Sequence, residues 1–182
     1  MHPMENQLEI SLLNWHRKRH PNFSGENLAN AKSTQQLQYL TENILLPLQE
    51  KFGSVQITYG FTGHSLLRYI LKNSPGDMAP DIDQHASMEL NSKDNRICKR
   101  DGASCDFYVK GYEQRMDEIA KYICENLEFD RLYFYGKDKP IHISIGPDNS
   151  RYALIREKRS DGLRVNKKSA KGYATQTLFD HL

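Results

Sequence analysis

Three residues with the chemistry of metal ligands lie far apart in the sequence: His85, Asp106 and His142. Two imidazoles and one carboxylate match the ligands of a zinc ion that keeps its fourth position open. At an open position the metal can polarise a carbonyl and activate a water molecule, whereas a closed site only stabilises a fold. Histidine and aspartate are common in any chain, so the trio predicts a catalytic zinc site only if the fold brings the three together.

Two of the three ligands lie on predicted strands. Alternating apolar residues predict three strands here, over residues 105–109, 131–135 and 141–145. The turn between the last two predicts a hairpin. If the strands that carry Asp106 and His142 are neighbours, both side chains can point to one face of the sheet, and the loop that carries His85 can fold over that face. We expect the flanking apolar residues to wall the site and keep it dry, namely Ala103, Phe107, Ile141, Ile143 and Ile145.

The rest of the chain completes an α+β pattern. Helical periodicity predicts four helices, over residues 5–19, 35–51, 64–72 and 112–127. Further strands are predicted over residues 55–59 and 152–157. Ser33 or Thr34 can cap the second helix, and Pro47 inside that helix predicts a kink. Because helices come first and strands cluster later, we expect a small, largely antiparallel sheet with packed helices.

The composition is ordinary for a globular protein with one main domain. The chain has 182 residues and a formal net charge of +2, so no overall field points to nucleic acid or to a membrane. The basic residues are concentrated between residues 151 and 171, which hold eight lysines and arginines against two acidic residues. We therefore divide the chain into a body, residues 1–150, and a basic C-terminal extension, residues 151–182. The extension either binds a polyanion or a partner protein, or is a solvated tail.

The cellular location is predicted from three sequence features. No apolar run approaches the roughly 20 residues of a membrane span. The N-terminus lacks the basic start and apolar stretch of a signal peptide. Cys98, Cys105 and Cys124 are an odd number of cysteines without the spacing of a disulfide framework, which favours a reducing compartment. We expect a cytoplasmic protein without a membrane span, and release from the cell by another protein stays open.

Taken in order, several segments resemble the zinc D-alanyl-D-alanine peptidases, the family that shares its fold with the Hedgehog signalling domain. The resemblance covers roughly residues 27–145. The segments are similar to the helix before the family's first strand, to that strand and its turn, to the segments with the first two zinc ligands, and to the closing strand pair with the third. In that order they are residues 37–53, 57–61, 84–85, 102–107, and 129–132 with 142–144.

The resemblance implies a fold, a cofactor and an activity. The fold is the Hedgehog-like α+β fold, and the cofactor is Zn²⁺, bound by His85, Asp106 and His142. The activity is that of a zinc metallopeptidase, a hydrolase with carboxypeptidase or endopeptidase action on D-alanine-type amide bonds. The substrate is the peptide of peptidoglycan.

The sequence departs from the family between the first two ligands. In the family the first histidine and the aspartate lie close together, whereas residues 86–101 are inserted here between His85 and Asp106. The inserted residues include charges of both signs, which is typical of a solvated loop. Their functional interpretation is a lid or specificity element over the zinc.

Two further departures concern the substrate and the general base. Thr62 stands where the family usually has an arginine that binds the substrate carboxylate, and His64 or Arg68 could replace that arginine. Tyr135 stands where related sequences often have a glutamate. Asp138 is the nearest carboxylate before the last ligand, which makes it our candidate for the catalytic base. Proton transfer by such a base typically contributes ~10²–10⁴-fold to the rate.

Two functions follow from these residues. The first is a zinc-dependent peptidase acting on peptidoglycan peptides. The second is a catalytically degenerate metal-binding module that acts in the cytoplasm by binding a partner protein or nucleic acid, with the basic C-terminal stretch as its contact surface. The discriminating feature is the residue nearest the metal's open position. An acidic side chain there favours the enzyme, and a fourth protein ligand or only apolar neighbours favour the module.

Overall fold

The computed structural model of the protein describes residues 3–77 and 83–182. The architecture is α+β, with one six-stranded, mostly antiparallel sheet and several helices. The predicted class, an α+β fold with a largely antiparallel sheet, is therefore confirmed.

Within residues 3–77 and 83–182, six α-helices precede or interrupt the strands. They are α1 Pro3–Asn14, α2 His16–Arg19, α3 Ala31–Leu40, α4 Leu46–Phe52, α5 His64–Asn73 and α6 Met116–Asn126. A π-helical turn, Thr41–Leu45, joins α3 to α4, and short 3₁₀ helices occupy Pro75–Asp77 and Gly172–Thr177. Within the described residues, none of the helices has the length and apolar character that a membrane crossing requires.

The six strands form one sheet in the order β1-β2-β4-β3-β5-β6. They are β1 Val55–Tyr59, β2 Ala103–Val109, β3 Arg131–Phe134, β4 Ile141–Ile145, β5 Tyr152–Lys158 and β6 Arg164–Lys171. β3 and β5 run parallel, and the other neighbours are antiparallel. The predicted hairpin of β3 and β4 is confirmed. Because β4 lies between β3 and β2, the two strands that carry predicted ligands are neighbours.

The long helix predicted around Pro47 is divided rather than simply kinked. Thr41–Leu45 forms the π-turn just before the proline, and Pro47 lies in the first turn of α4, where its missing N–H is tolerated. The N-cap is also different from the prediction. The side chain of Asn30, not of Ser33 or Thr34, caps α3 by accepting a hydrogen bond from the Ser33 amide at 2.8 Å.

The hydrophobic core lies against one face of the sheet. Successive strand residues point to opposite faces, so Cys105 and Phe107 of β2 are buried with α3 and α6 while Asp106 between them points the other way. Ile143 of β4 lies in the same core, next to His142 in sequence but on the opposite face. The prediction that the flanking apolar residues wall the metal site is therefore wrong: they belong to the core behind it.

The basic C-terminal stretch is part of the sheet. β5 pairs with β3, β6 pairs with β5, and the following 3₁₀ helix packs on α6. Arg151 is buried, and its guanidinium donates to the carbonyl oxygens of Leu127 and Cys124 at 2.6 and 2.5 Å. A solvated tail is thus the wrong description of residues 151–171, because strand pairing orders them.

All three cysteines lie in the interior. Cys98, Cys105 and Cys124 are each 4% exposed or less. Burial raises the pKa of the Cys98 thiol, raises that of Cys105 well above its usual range, and raises that of Cys124 to about 12.

Gly102, the residue immediately before β2, lies too close to β4 to carry a side chain. Its φ of +126° and its contact with β4 leave no room for a side chain, because an added Cβ would overlap the backbone oxygen of Ile145. Gly102→Ala should therefore lower the free energy of unfolding by roughly 2–4 kcal/mol in urea titrations. Gly111→Ala is the control, since Gly111 also has positive φ but nothing within 4 Å of an added Cβ. Equal losses in the two variants would contradict the close approach at Gly102.

Candidate metal centre

The three predicted ligands meet on the face of the sheet opposite the core. Asp106 of β2 and His142 of β4 are direct cross-strand partners, and the loop before β2 brings His85 beside them. The Asp106 Oδ1 atom lies 2.9 Å from His142 Nδ1 and 3.5 Å from His85 Nε2. One ligand atom from each residue lies within 4.8 Å of the other two. The predicted trio is thus a cluster with the spacing needed to hold a metal ion.

Backbone contacts fix the ring of His85. Its Nδ1 lies 3.1 Å from the carbonyl oxygen of Gly60, and its own carbonyl accepts a hydrogen bond from the Thr62 amide at 2.9 Å. A carbonyl oxygen can only accept, so Nδ1 donates to it and Nε2 is the ring nitrogen that faces Asp106. This is the usual way in which a carbonyl orients a metal-binding histidine.

Gln84 anchors the loop that carries His85. Its backbone has a φ of 58°, and its side chain is fully buried. The side-chain amide donates to the Asp101 carbonyl at 2.8 Å, to Asp130 Oδ2 at 3.1 Å and to the Ile145 carbonyl at 3.1 Å. These three bonds tie the loop to residues at the ends of β2, β3 and β4, and so keep His85 beside the other two ligands.

The electrostatics favour the metal-binding protonation states. Burial lowers the pKa of His142, and Asp106 opposes that shift only in part. Burial alone would raise the pKa of Asp106, but its interactions with His142 and His85 bring that pKa well below its usual range. At neutral pH the site therefore presents a neutral imidazole and a carboxylate, the forms that bind metals.

Two buried ring nitrogens also fit a metal ion. The Nε2 atoms of His85 and His142 are both buried, and neither has a hydrogen-bond partner among the described residues. Buried polar atoms without partners are uncommon in proteins because their desolvation is uncompensated. The Nε2 atom of His85 lies 3.5 Å from Asp106 Oδ1, and a cation between the two atoms could bind both. Two imidazoles with one carboxylate suit zinc.

The cluster lies in a cleft of about 690 Å³, a size within the roughly 300–1,000 Å³ typical of small-ligand sites. Aromatic rings wall it. Tyr133 stacks on His142 with ring centroids 4.9 Å apart and an interplanar angle of 15°. Tyr59 packs edge-on against His85 at 4.7 Å, and Tyr135 also lines the cleft. Burial raises the pKa of Tyr135 to about 12, so its phenol is neutral.

Four cationic residues line the same cleft: Arg19, Lys139, Arg156 and Arg164. The last two come from β5 and β6, the stretch in which the sequence showed only an excess of positive charge. A sequence signal was available for Arg156. It lies two residues after Leu154 on a predicted strand, and this spacing puts both side chains on one face.

The other predicted site residues lie outside the cleft. His64 begins α5, and Arg68 is exposed on the same helix. Asp138 is exposed and pairs with Lys139 at 3.1 Å. None of the three belongs to the cleft lining.

Among residues 3–77 and 83–182, the cleft is lined by two carboxylates besides the ligand Asp106, and both are ion-paired. Asp77 pairs with Arg19 at 2.9 Å, and Asp83 pairs with Arg100. The hydroxyl of Tyr133 donates to Asp83 Oδ2 at 3.3 Å.

The inserted residues 86–101 do not cover the site. None of them lines the cleft. The amide of Asn30 donates to Glu89 at 2.7 Å, and the amide of Met88 donates to Ser33 Oγ at 3.1 Å, so the insertion packs against the start of α3. The interpretation of these residues as a lid is therefore wrong.

Metal content tests the cluster directly. Protein purified in the presence of zinc should carry about one zinc ion per chain, because three ligands converge with their metal-binding atoms available. His142→Ala should lose the zinc, as measured by elemental mass spectrometry after dialysis. His181→Ala is the control, since His181 is exposed near the C-terminus and should leave the content unchanged. A well-folded wild type without zinc would overturn the assignment.

Comparison of the chain with known proteins does not identify a family or a function. No family model matches the chain, no curated protein matches it, and no solved structure matches it. The resemblance to the zinc D-alanyl-D-alanine peptidases stays a prediction from the sequence.

Proposed function

We propose that the protein is a zinc-dependent hydrolase of peptide amide bonds, with His85, Asp106 and His142 as its zinc ligands. The observation that supports it most is the convergence of three ligand atoms within 4.8 Å of one another on the wall of a cleft that also has room for a substrate. Three protein ligands leave a position free for chemistry, which a purely structural zinc site does not.

The side chains of the cluster have distinct roles in this proposal. A zinc ion held by His85, Asp106 and His142 would supply Lewis-acid chemistry: it would polarise a carbonyl and lower the pKa of a water molecule to about 7. The Gly60 carbonyl orients His85, and the stacked ring of Tyr133 holds the plane of His142. Tyr133 and Tyr59 shield both imidazoles from water, which strengthens every charge interaction inside the cleft.

Asp83 is the residue that we assign as proton acceptor in place of Asp138. It lines the cleft and contacts Tyr133, whose ring in turn stacks on the ligand His142. Its ion pair with Arg100 and the hydrogen bond from Tyr133 orient the carboxylate at the wall of the cleft.

The substrate class follows from the sequence resemblance and the charge of the cleft. We propose D-alanine-type amide bonds of peptidoglycan peptides, and a Hedgehog-like arrangement of the fold. The support is the ordered set of similar segments and the position of the second and third ligands on adjacent antiparallel strands. The surplus of cationic side chains suits a substrate that ends in a carboxylate.

The second candidate function is a metal-binding module without efficient catalysis, acting in the cytoplasm on a partner protein or a nucleic acid. One observation favours it: Asp77 and Asp83, the non-ligand carboxylates that line the cleft in the described part of the chain, are both ion-paired with arginines. The basic strands β5 and β6 would then supply the contact surface.

Release of D-alanine distinguishes the two candidates. Zinc-loaded wild type should release D-alanine from a stem peptide ending in D-Ala-D-Ala, followed by mass spectrometry. Asp83→Asn should lower kcat by roughly 10²–10⁴-fold with zinc content unchanged, because proton transfer is lost. Asp138→Asn is the matched control, since Asp138 lies outside the cleft lining and should retain full activity.

The opposite results have clear meanings. If the zinc-loaded wild type releases no D-alanine, the module is the better description. If Asp138→Asn is the variant that loses activity, the assignment of Asp83 is wrong.

A further inference from the structure

We propose that Arg156 and Arg164 form an oxyanion-binding subsite that takes the C-terminal carboxylate of the substrate. The two arginines belong to β5 and β6, outside the region in which the sequence resembles a known family. The chemical identity of the ligand rests on the proposed function, whereas the existence of the subsite rests on the contacts below.

Arg156 and Arg164 differ from the other two cations of the cleft in their ion pairing. Arg19 is neutralised by Asp77 at 2.9 Å, and Lys139 by Asp138 at 3.1 Å. In the part of the chain that the structure describes, Arg156 and Arg164 form no ion pair with a carboxylate. Cations without counter-charges in a concave site attract anions. The planar guanidinium group also matches a carboxylate with two parallel hydrogen bonds.

Both guanidinium groups contact other parts of the protein. The Nη2 group of Arg156 donates to the backbone oxygen of Arg164, with 3.5 Å between nitrogen and oxygen. The Arg164 guanidinium lies over the ring of Tyr135, 4.7 Å from its centroid. The Nε atom of Arg156 is buried and has no acceptor among the described residues. A fixed donor without an acceptor is a preorganised contact for an incoming oxyanion.

The register of the sheet sets the distance from the metal cluster. His142 pairs with Tyr133, and Tyr133 pairs with Leu154, so β5 lies two strands away from β4. Arg156 lies two residues beyond Leu154 on the same face. With about 4.8 Å between strands and about 3.3 Å per residue, the Cα atoms of His142 and Arg156 are ~12 Å apart.

This spacing limits what can lie between the two sites. The arginine side chains and the metal ligands both extend into the cleft from opposite ends of that gap. An extended peptide advances about 3.5 Å per residue, so the remaining space fits one or two residues. The subsite therefore predicts cleavage close to the C-terminus of a peptide rather than in its middle.

Calorimetric titration tests the subsite with two probes that differ in one group. The probes are N-acetyl-D-alanyl-D-alanine and its C-terminal amide, titrated into zinc-loaded and metal-free protein under conditions without turnover. Wild type should bind the acid roughly 10- to 100-fold more tightly than the amide, which is the usual effect of hydrogen bonds to a charged group. Arg156→Gln and Arg164→Gln should each remove most of this preference.

Matched variants keep the experiment decisive. Lys168→Gln removes one positive charge from an exposed position of β6 outside the cleft lining and should retain the preference. Arg156→Lys keeps the charge but not the planar pair of donors and should retain only part of it. Circular dichroism establishes that each variant is folded. Equal preference for the acid in wild type and both glutamine variants overturns the proposal.

Two further outcomes separate this inference from the proposed function. If the protein carries no zinc but its preference for the acid still depends on Arg156, the hydrolase proposal fails and the subsite stands. If zinc binds normally and the acid has no advantage over the amide, the subsite fails and the hydrolase proposal stands. Inorganic phosphate is a third probe. Arginine-dependent binding of phosphate without any preference for the peptide acid overturns the assignment to a carboxylate.

Discussion

The cross-strand pairing of Asp106 with His142 is the contact on which the rest of the site depends. It joins β2 to β4 in a register that places a carboxylate and an imidazole side by side. Because strand residues alternate between faces, the same register directs Phe107 and Ile143 into the core. A slip of one residue would exchange the two faces, so core packing and ligand geometry are specified by a single pairing.

The first ligand, His85, is held by backbone contacts as well as by side-chain packing. Gln84 ties its loop to three different carbonyl or carboxylate oxygens, and the Gly60 carbonyl sets the direction of the His85 ring. These contacts fix the Nε2 atom of His85 in a direction that faces Asp106. Backbone and loop contacts therefore place this ligand beside the other two, which is the arrangement expected of a preformed cation site.

Part of this picture could be read from the sequence because it depends on local patterns. Period-two alternation revealed the strands, and ligand chemistry identified His85, Asp106 and His142. The same alternation should have placed Phe107 and Ile143 behind the site rather than around it. Pairings between distant segments were not predictable: the parallel contact of β5 with β3 brings Arg156 to the cleft. Before that contact is known, the basic residues of this stretch are only an excess of charge. Asp138 is near His142 in sequence, but this nearness does not fix the direction in which the side chain of a turn residue points.

The burial of the three thiols has a consequence for where such a protein can work. Only the thiolate reacts readily with oxidants, and the raised pKa values of Cys98, Cys105 and Cys124 keep its population very small. Interior packing also denies oxidants and other thiols access to the sulfur atoms. The odd number of cysteines suggested a reducing environment, but the fold itself supplies the protection. The chemical durability of this chain is therefore a property of its core, and it would accompany the protein into an oxidising medium.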